Sequence, residues 1–361
     1  MKTEEVLQLI NADVRGLDKY HLKKQLANTK LNQNENPCDW DEEVKEIAAS
    51  FCKSRPWNRY PSFIPERLKE SLARYTGVAP KNIIAGNGSN EMLLILLLSF
   101  VNKSSSAVIC TPTFTVYNLL VRGIGGDVKV VNLNEQLQYD VPAICSAVEV
   151  NPSAVLILCS PNNPTGSTLS KQQILAILEV HRGILILDQA YIEFGGYNAV
   201  ELIDKYPNLI ITRTFSKALG AAGLRVGYII AAEQVIAEIN KIKLPYNINF
   251  FSEYVATLIL ENRTKIDAGV EKTLAQRQEM FQYLSQLPFD NVYPTDANFI
   301  LVRTPKKQQL FDYLVSNDIL VRDVSSYDLL ENCLRISIGT VEENSCLRTH
   351  LMNFFENQQS L

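Results

Sequence analysis

Seven short apolar or β-branched runs punctuate the middle of the chain: "NIIAG", "SAVICTP", "DVKVVNL", "AVLILCSP", "GILILDQ", "LIITRTF" and "VGYIIA". Most are continuous rather than alternating, which is how a strand reads when both faces of its sheet are covered. Helix-length segments such as "SNEMLLILLLSFV" and "LSKQQILAILEVH" lie between them. Strands interleaved with helices predict an α/β layered domain over residues 41–245, with a mostly parallel seven-stranded sheet between helices. Beyond "KLPYNINFFS", a long helical stretch over 252–286 leads into "NFILVRT", "FDYLVSNDILVRD" and "CLRISIG". That order predicts a smaller α+β unit over 246–361. The first forty residues carry polar, irregular segments such as "NQNENP", and residues 1–40 are expected to be an arm that docks on something rather than a domain. No 20–50-residue repeat or low-complexity tract interrupts this plan.

A length of 361 residues suits one large and one smaller domain, each able to bury a core. The net charge of −4 is spread along the chain with no basic block, which points away from nucleic acid and toward small-molecule chemistry. The opening "MKTEEVLQLINADVRG" is too charged for a signal peptide. The most apolar run, "MLLILLLSFV", is far shorter than the ~20 residues of a membrane span. A cytoplasmic location away from membranes is the expectation. Seven cysteines stand singly with no CxxC pair and read as reduced core residues, neither zinc ligands nor disulfides. Three dispersed histidines, at 21, 181 and 350, offer neither a metal cluster nor a Ser-His-Asp arrangement.

In open α/β sheets, ligands bind beyond the carboxyl ends of the strands, so the polar residues that follow each run carry the functional signal. "GNGSNEML" follows the first run; a helix starting at Ser89 or Asn90 would present free N–H groups to a phosphate, although a capped turn explains the same residues. It lacks the third glycine of a dinucleotide fingerprint. "PNNPTG" places Asn163 in what is equally an ordinary turn. "DQAYIEF" places Asp188 at a strand end, where a carboxylate is a helix N-cap or else needs a cationic partner. "LIITR" is followed by Thr214, Ser216 and Lys217, with Arg225 eight positions beyond the lysine. A lone lysine is usually solvated, but Lys217 precedes "ALGAAG", whose small residues allow close approach. Together an acid, an amide, a phenol (Tyr191), an amine, two hydroxyls and a guanidinium fall at the strand ends of one sheet. That set matches pyridoxal 5′-phosphate. Its aldehyde calls for the lysine, its pyridinium nitrogen for the carboxylate, its 3′-oxygen for the amide and phenol, and its phosphate for the rest.

The segments "LNQNENP", "RYPSF", "AGNGSNE", "TPTFTVY", "CSPNNPTG", "DQAYIEF", "TRTFSKALGAAGLRVGY" and "CLRISIGT" occur in an order and spacing that resembles one group of proteins. These are the fold-type I pyridoxal-phosphate aminotransferases, and within them the histidinol-phosphate aminotransferase family. The resemblance spans nearly the whole chain. It implies a catalytic set in which Lys217 is the Schiff-base lysine, Asp188 pairs the pyridinium nitrogen, and Tyr191 with Asn163 contacts the 3′-oxygen. Phe114 would stack on the ring. Backbone at Ser89 and Asn90, with Thr214, Ser216 and Arg225, would hold the phosphate. Tyr60 would reach the phosphate from a second subunit, which implies a homodimer. For substrate, the resemblance implies Arg335 as the anion-binding arginine, with Arg322, Tyr20 and Asn34 as further contacts. The implied reaction moves the amino group of histidinol phosphate to 2-oxoglutarate, a step of histidine biosynthesis that uses no metal.

Two positions depart from the family pattern. Gln189 stands where glutamate is common, expected to alter only local packing, and Phe114 stands where tyrosine is common, which keeps the π face and loses a hydroxyl. The rival readings are an aromatic amino-acid aminotransferase, a threonine-phosphate decarboxylase that shares the lysine and the "NNPTG" pattern, and a non-catalytic binding protein of the same fold. Lys217, Asp188 and Arg225 together oppose the last of these.

Overall fold

All seven apolar runs pair into one sheet in the computed structural model, which describes residues 1–17 and 27–357. Counting from a short strand in the arm, β1 (Thr29–Leu31), they are β2 (Ile83–Gly86), β3 (Ser106–Thr111), β4 (Asp127–Asn132), β5 (Val155–Cys159), β6 (Leu185–Asp188), β7 (Leu209–Thr214) and β8 (Gly227–Ile230). The spatial order is β2-β8-β7-β6-β5-β3-β4. β8 runs antiparallel to both its neighbours, and the remaining pairs are parallel.

The continuous apolar character of these strands has a direct cause in their period of two. Leu156 and Leu158 of β5 enter one buried cluster with Leu185, Leu187, Leu209 and Ile211. Val155, Ile157 and Cys159 enter a second cluster with Ile186, Ile210 and Ile229 on the opposite face. Each face is covered by helices. Met92, Leu93 and Leu96 of the helix Gly88–Phe100 fill the second cluster, and Ile174, Ile177 and Leu178 of the helix Lys171–Val180 fill the first. Each such side chain taken fully out of water contributes roughly 1.5–3 kcal/mol, so neither face tolerates a polar alternation.

The smaller sheet has the order β1-β11-β12-β10-β9, with β9 (Asn291–Tyr293), β10 (Phe299–Arg303), β11 (Ile319–Asp323) and β12 (Cys333–Ser337). β1 pairs in parallel with β11, Thr29 opposite Ile319, so part of the irregular-looking arm is sheet. The helical stretch expected over 252–286 is two helices, Phe250–Glu261 and Arg263–Leu284. Asn262 separates them, with backbone angles of −97° and 42° that no helix propagates. The cysteines are all free, but only Cys110, Cys159 and Cys333 are buried; Cys38 is exposed and the other three are half-buried, correcting their reading as a core set. Among the described residues no helix is long and apolar enough to cross a membrane.

The small sheet also has two unlike faces. Ile300, Val302, Leu334 and Ile336 pack into a separate core with the helices of that unit. Phe299, Leu301 and Cys333 point the other way, into the core of the large sheet. Arg335 lies opposite Leu301, and Arg322 lies opposite Arg335, in the strand register. Both arginines therefore share the face turned toward the large sheet.

Candidate active site

The carboxyl ends of β5, β6 and β7 and the arginine face of the small sheet enclose a cavity of about 290 Å³. Its lining includes Asn34, Ser89, Asn90, Phe114, Asn163, Asp188, Tyr191, Thr214, Ser216, Lys217, Arg225, Arg322 and Arg335. Tyr60 is not among them; it is 81% exposed and stacks on Tyr246 with ring centroids 4.5 Å apart. Tyr20 lies outside the described residues. A larger cleft of about 770 Å³, between residues 76–82 and 197–204, shares none of these side chains.

Asp188 ends β6 with its carboxylate buried. Tyr117 donates its phenolic hydrogen to Oδ2 at 2.6 Å, and the Ala190 N–H donates to Oδ1 at 3.0 Å. Burial still raises the carboxyl above its ordinary range, because removing a carboxylate from water disfavours the charged form. An acid so placed calls for a cation in front of it.

Lys217 follows β7, and its Nζ donates to the Gln33 carbonyl at 2.9 Å and lies 5.6 Å from the centroid of the Tyr191 ring. Burial of its amine, and secondarily the Arg335 guanidinium, bring its pKa down to about 7. A lysine in that state is a nucleophile and a base near neutrality. Tyr191 is buried, accepts a hydrogen bond from Asn34 Nδ2 at 3.1 Å and meets Phe299 edge-on. Asn34 is in the left-handed region at φ 54°, which asparagine tolerates. It is locked there by its N–H donating to Ser337 Oγ and by Ser337 Oγ donating back to Oδ1, both at 2.9 Å.

The far end of the cavity gathers hydrogen-bond donors. The helix Gly88–Phe100 begins there without a side-chain cap, so the first-turn N–H groups of Ser89 and Asn90 are open to a ligand. Close packing requires glycine on both sides of this turn: a Cβ on Gly227 would lie 2.2 Å from the Ser89 nitrogen. Arg225 adopts φ 53° and donates Nη1 to Ser216 Oγ at 3.3 Å, while Thr214 Oγ1 donates to Ser216 Oγ at 3.0 Å. Two hydroxyls, a guanidinium and helix-start N–H groups have the chemistry to hold a phosphate.

Asn163 reaches the cavity because its neighbour is tied down. Asn162 is fully buried and bonds Pro112 O at 2.9 Å, Thr165 Oγ1 at 2.8 Å and Thr113 Oγ1 at 2.7 Å, which shapes the loop after β5. Arg335 closes the cavity from the small sheet, donating Nη1 to Asn163 Oδ1 and Nη2 to the Asn32 carbonyl, the latter at 2.7 Å. Gln189 is turned off the cavity, accepting from Arg213 at 2.8 Å and donating to the Tyr197 carbonyl at 2.8 Å. Asn32, Gln33, Glu35, Tyr117, Cys159 and Tyr327 also line the cavity and were not singled out in the sequence. All but Tyr327 lie inside the segments that carry the family resemblance, without a role of their own there, and Tyr117 also stands three residues after Phe114.

The donor set fits pyridoxal 5′-phosphate, with a buried acid for the ring nitrogen, an enclosed amine for the aldehyde and an uncapped helix start for the phosphate. Fold and site define a pyridoxal-phosphate-dependent aminotransferase of class I and II, and the family described as "Aminotransferase class I and II" matches residues 28–351. The histidinol-phosphate aminotransferase of Thermoanaerobacter pseudethanolicus is 38% identical over 340 residues, covering 94% of this chain and 96% of that one. That of Chlorobaculum tepidum is 37% identical over 341 residues, covering 94% and 98%. The histidinol-phosphate aminotransferase of Sinorhizobium meliloti, solved in complex with pyridoxal-5′-phosphate, shares the fold at a TM-score of 0.86 and 23% identity, over 97% of this chain and 98% of that one. This chain belongs to the histidinol-phosphate aminotransferase family.

Proposed function

We propose that the protein transfers the amino group of histidinol phosphate to 2-oxoglutarate, giving the imidazole keto phosphate and glutamate. The observation that carries this reading is the placement of Arg335 over the strand ends that hold Lys217 and Asn163, through its bond to Asn163 Oδ1. Pyridoxal 5′-phosphate, when bound, supplies an aldehyde that captures an amine and an electron-poor ring that accepts electrons released at the α-carbon. Lys217 would hold the aldehyde, and its amine, with a pKa of about 7, is the base placed to move the proton of the donor's α-carbon. Asp188 would keep the proton on the ring nitrogen. Asn163 and Tyr191 would hold the ring's 3′-oxygen, Phe114 would cover its face, and Ser89, Asn90, Thr214, Ser216 and Arg225 would hold the phosphate.

The donor is a phosphate monoester and the acceptor a dicarboxylate, so one site meets two anions of different shape. A guanidinium fork pairs either one, and Arg335 serves both. Arg322, its register partner, and Asn34 add contacts beside it. Arg335→Ala is therefore expected to raise KM for both substrates about 10- to 100-fold, the loss of a charged hydrogen-bonding pair. A rise confined to glutamate and 2-oxoglutarate would reject the shared role. The donor is tested by comparing histidinol phosphate, phenylalanine, tyrosine and threonine phosphate with 2-oxoglutarate as acceptor. Histidinol phosphate should give the highest kcat/KM; a higher value for phenylalanine or tyrosine overturns the reading.

A homodimer supports the same site. Tyr60 and Phe63 pack on Tyr246 yet are 81% and 60% exposed, an aromatic surface that a second copy would cover. Tyr60 would reach the partner's phosphate cradle, and light scattering should give twice the chain mass.

A further inference from the structure

We propose that Tyr117 is a positioning residue for the reaction, its phenol holding the Asp188 carboxylate so that the proton shared with the cofactor's ring nitrogen stays on the ring. This rests on the placement of the ring nitrogen at Asp188. Tyr117 lies on the helix Val116–Gly123, is wholly buried and donates to Asp188 Oδ2 at 2.6 Å. Its ring meets Phe114 edge-on, with centroids 5.6 Å apart and planes at 86°. The turn that leads into this helix, closed by the Tyr117 N–H donating to the Phe114 carbonyl at 3.2 Å, thus supplies both the aromatic that lines the cavity and the donor behind its acid.

The Tyr117 bond is the largest of the influences that favour the charged carboxylate, ahead of the Ala190 N–H, the Thr212 hydroxyl and the Lys217 amine. The Ala190 N–H occupies Oδ1, and Thr212 stands beside it. The titratable groups around it are Tyr117, Tyr139, Cys159, Tyr191 and Lys217. Tyr139 spends its hydrogen on the Cys159 carbonyl, Cys159 points its thiol at the Pro161 carbonyl at 3.2 Å, and Lys217 bonds Gln33. Tyr117 is the phenol aimed at the acid. A hydrogen bond to the charged form of an acid favours that form. Without the bond, Asp188 becomes a stronger base and draws the proton off the ring nitrogen, and the positive charge opposite the Lys217 linkage is lost.

That charge has a spectroscopic consequence. A protonated ring makes the neighbouring lysine–cofactor nitrogen harder to protonate, so losing it moves the pH midpoint of the bound cofactor's visible band upward. Tyr117→Phe keeps the ring and its contact with Phe114 and removes only the hydroxyl. In the holoenzyme it should raise that midpoint by roughly half a unit or more. It should also raise the cofactor's dissociation constant roughly tenfold, as expected for loss of a hydrogen bond to a charged group, with kcat falling more than KM changes. A second variant, with 3-fluorotyrosine in place of Tyr117, donates more strongly and should move the midpoint down. Thermal melting of the apoprotein reports any loss of fold separately. An unchanged midpoint in both variants, or a shift of the same sign in both, overturns the proposal. A wild-type protein that develops no visible band with pyridoxal phosphate overturns the site assignment itself, and the proposal with it.

Discussion

Lys217→Ala is expected to lower kcat by at least about 10²–10⁴-fold, the range lost when a positioned acid–base group is removed, and to leave no visible band sensitive to borohydride after cofactor is added. Both follow from its setting: an amine three residues beyond β7, pKa about 7, bonded by the Gln33 carbonyl at 2.9 Å and facing Tyr191. The direction in pH is fixed by that value. The folded-state pKa lies below that of a free lysine, so the amine is a free base above about pH 7 and charged below it. Capture of cofactor by the apoprotein should accelerate as pH rises through about 7 and then level off. Lys217→Arg should be no better than alanine, because a guanidinium is always protonated. Wild-type turnover by Lys217→Ala would remove the lysine from the mechanism.

Asp188→Asn should separate catalysis from stability. The asparagine is nearly the same size, its oxygen can accept the Ala190 N–H, and its amide can donate to the Tyr117 oxygen, which the buried site accommodates. What disappears is the charge. Removing one partner of a buried charged pair costs about 3–5 kcal/mol, which corresponds to roughly a 10²–10⁴-fold loss in kcat if the pair forms only with cofactor in place. The apoprotein should melt at or above the wild-type temperature, since burial of the unpaired carboxylate is a cost that the amide does not carry. Steady-state kinetics beside calorimetry of the apoprotein reads both. A large drop in apoprotein stability would mean that Asp188 is held for the fold rather than for the ring.

The strands were legible because burial on both faces imposes a local signal. Leu156 and Leu158 serve one core while Val155 and Ile157 serve the other, so no position in β5 can be polar. The residues that follow such strands were legible for the same reason, since a polar side chain after an obligatorily apolar run has only the strand end to occupy. Asp188 and Thr214 themselves end β6 and β7, and Lys217 lies three residues beyond β7. The break at Asn262 was not legible, because a short polar run such as Glu261–Lys265 does not by itself end a helix and only the backbone angles at Asn262 do. β1 was hidden by its brevity, three residues whose pairing partner lies nearly three hundred positions away.

By itself the sequence determined the sheet, the strand-end chemistry and the kind of cofactor that chemistry suits, because each of these is written in neighbouring residues. Tertiary structure decided the closure of the site. The pairing of Arg335 with Leu301 and of Arg322 with Arg335 turns both guanidinia toward the large sheet. Ser337 clamps Asn34 across 303 positions, and Tyr117 meets Asp188 across 71. No local period encodes such contacts. They exist because one face of the small sheet is taken up by its own core, leaving the other face to meet the strand ends of the large one.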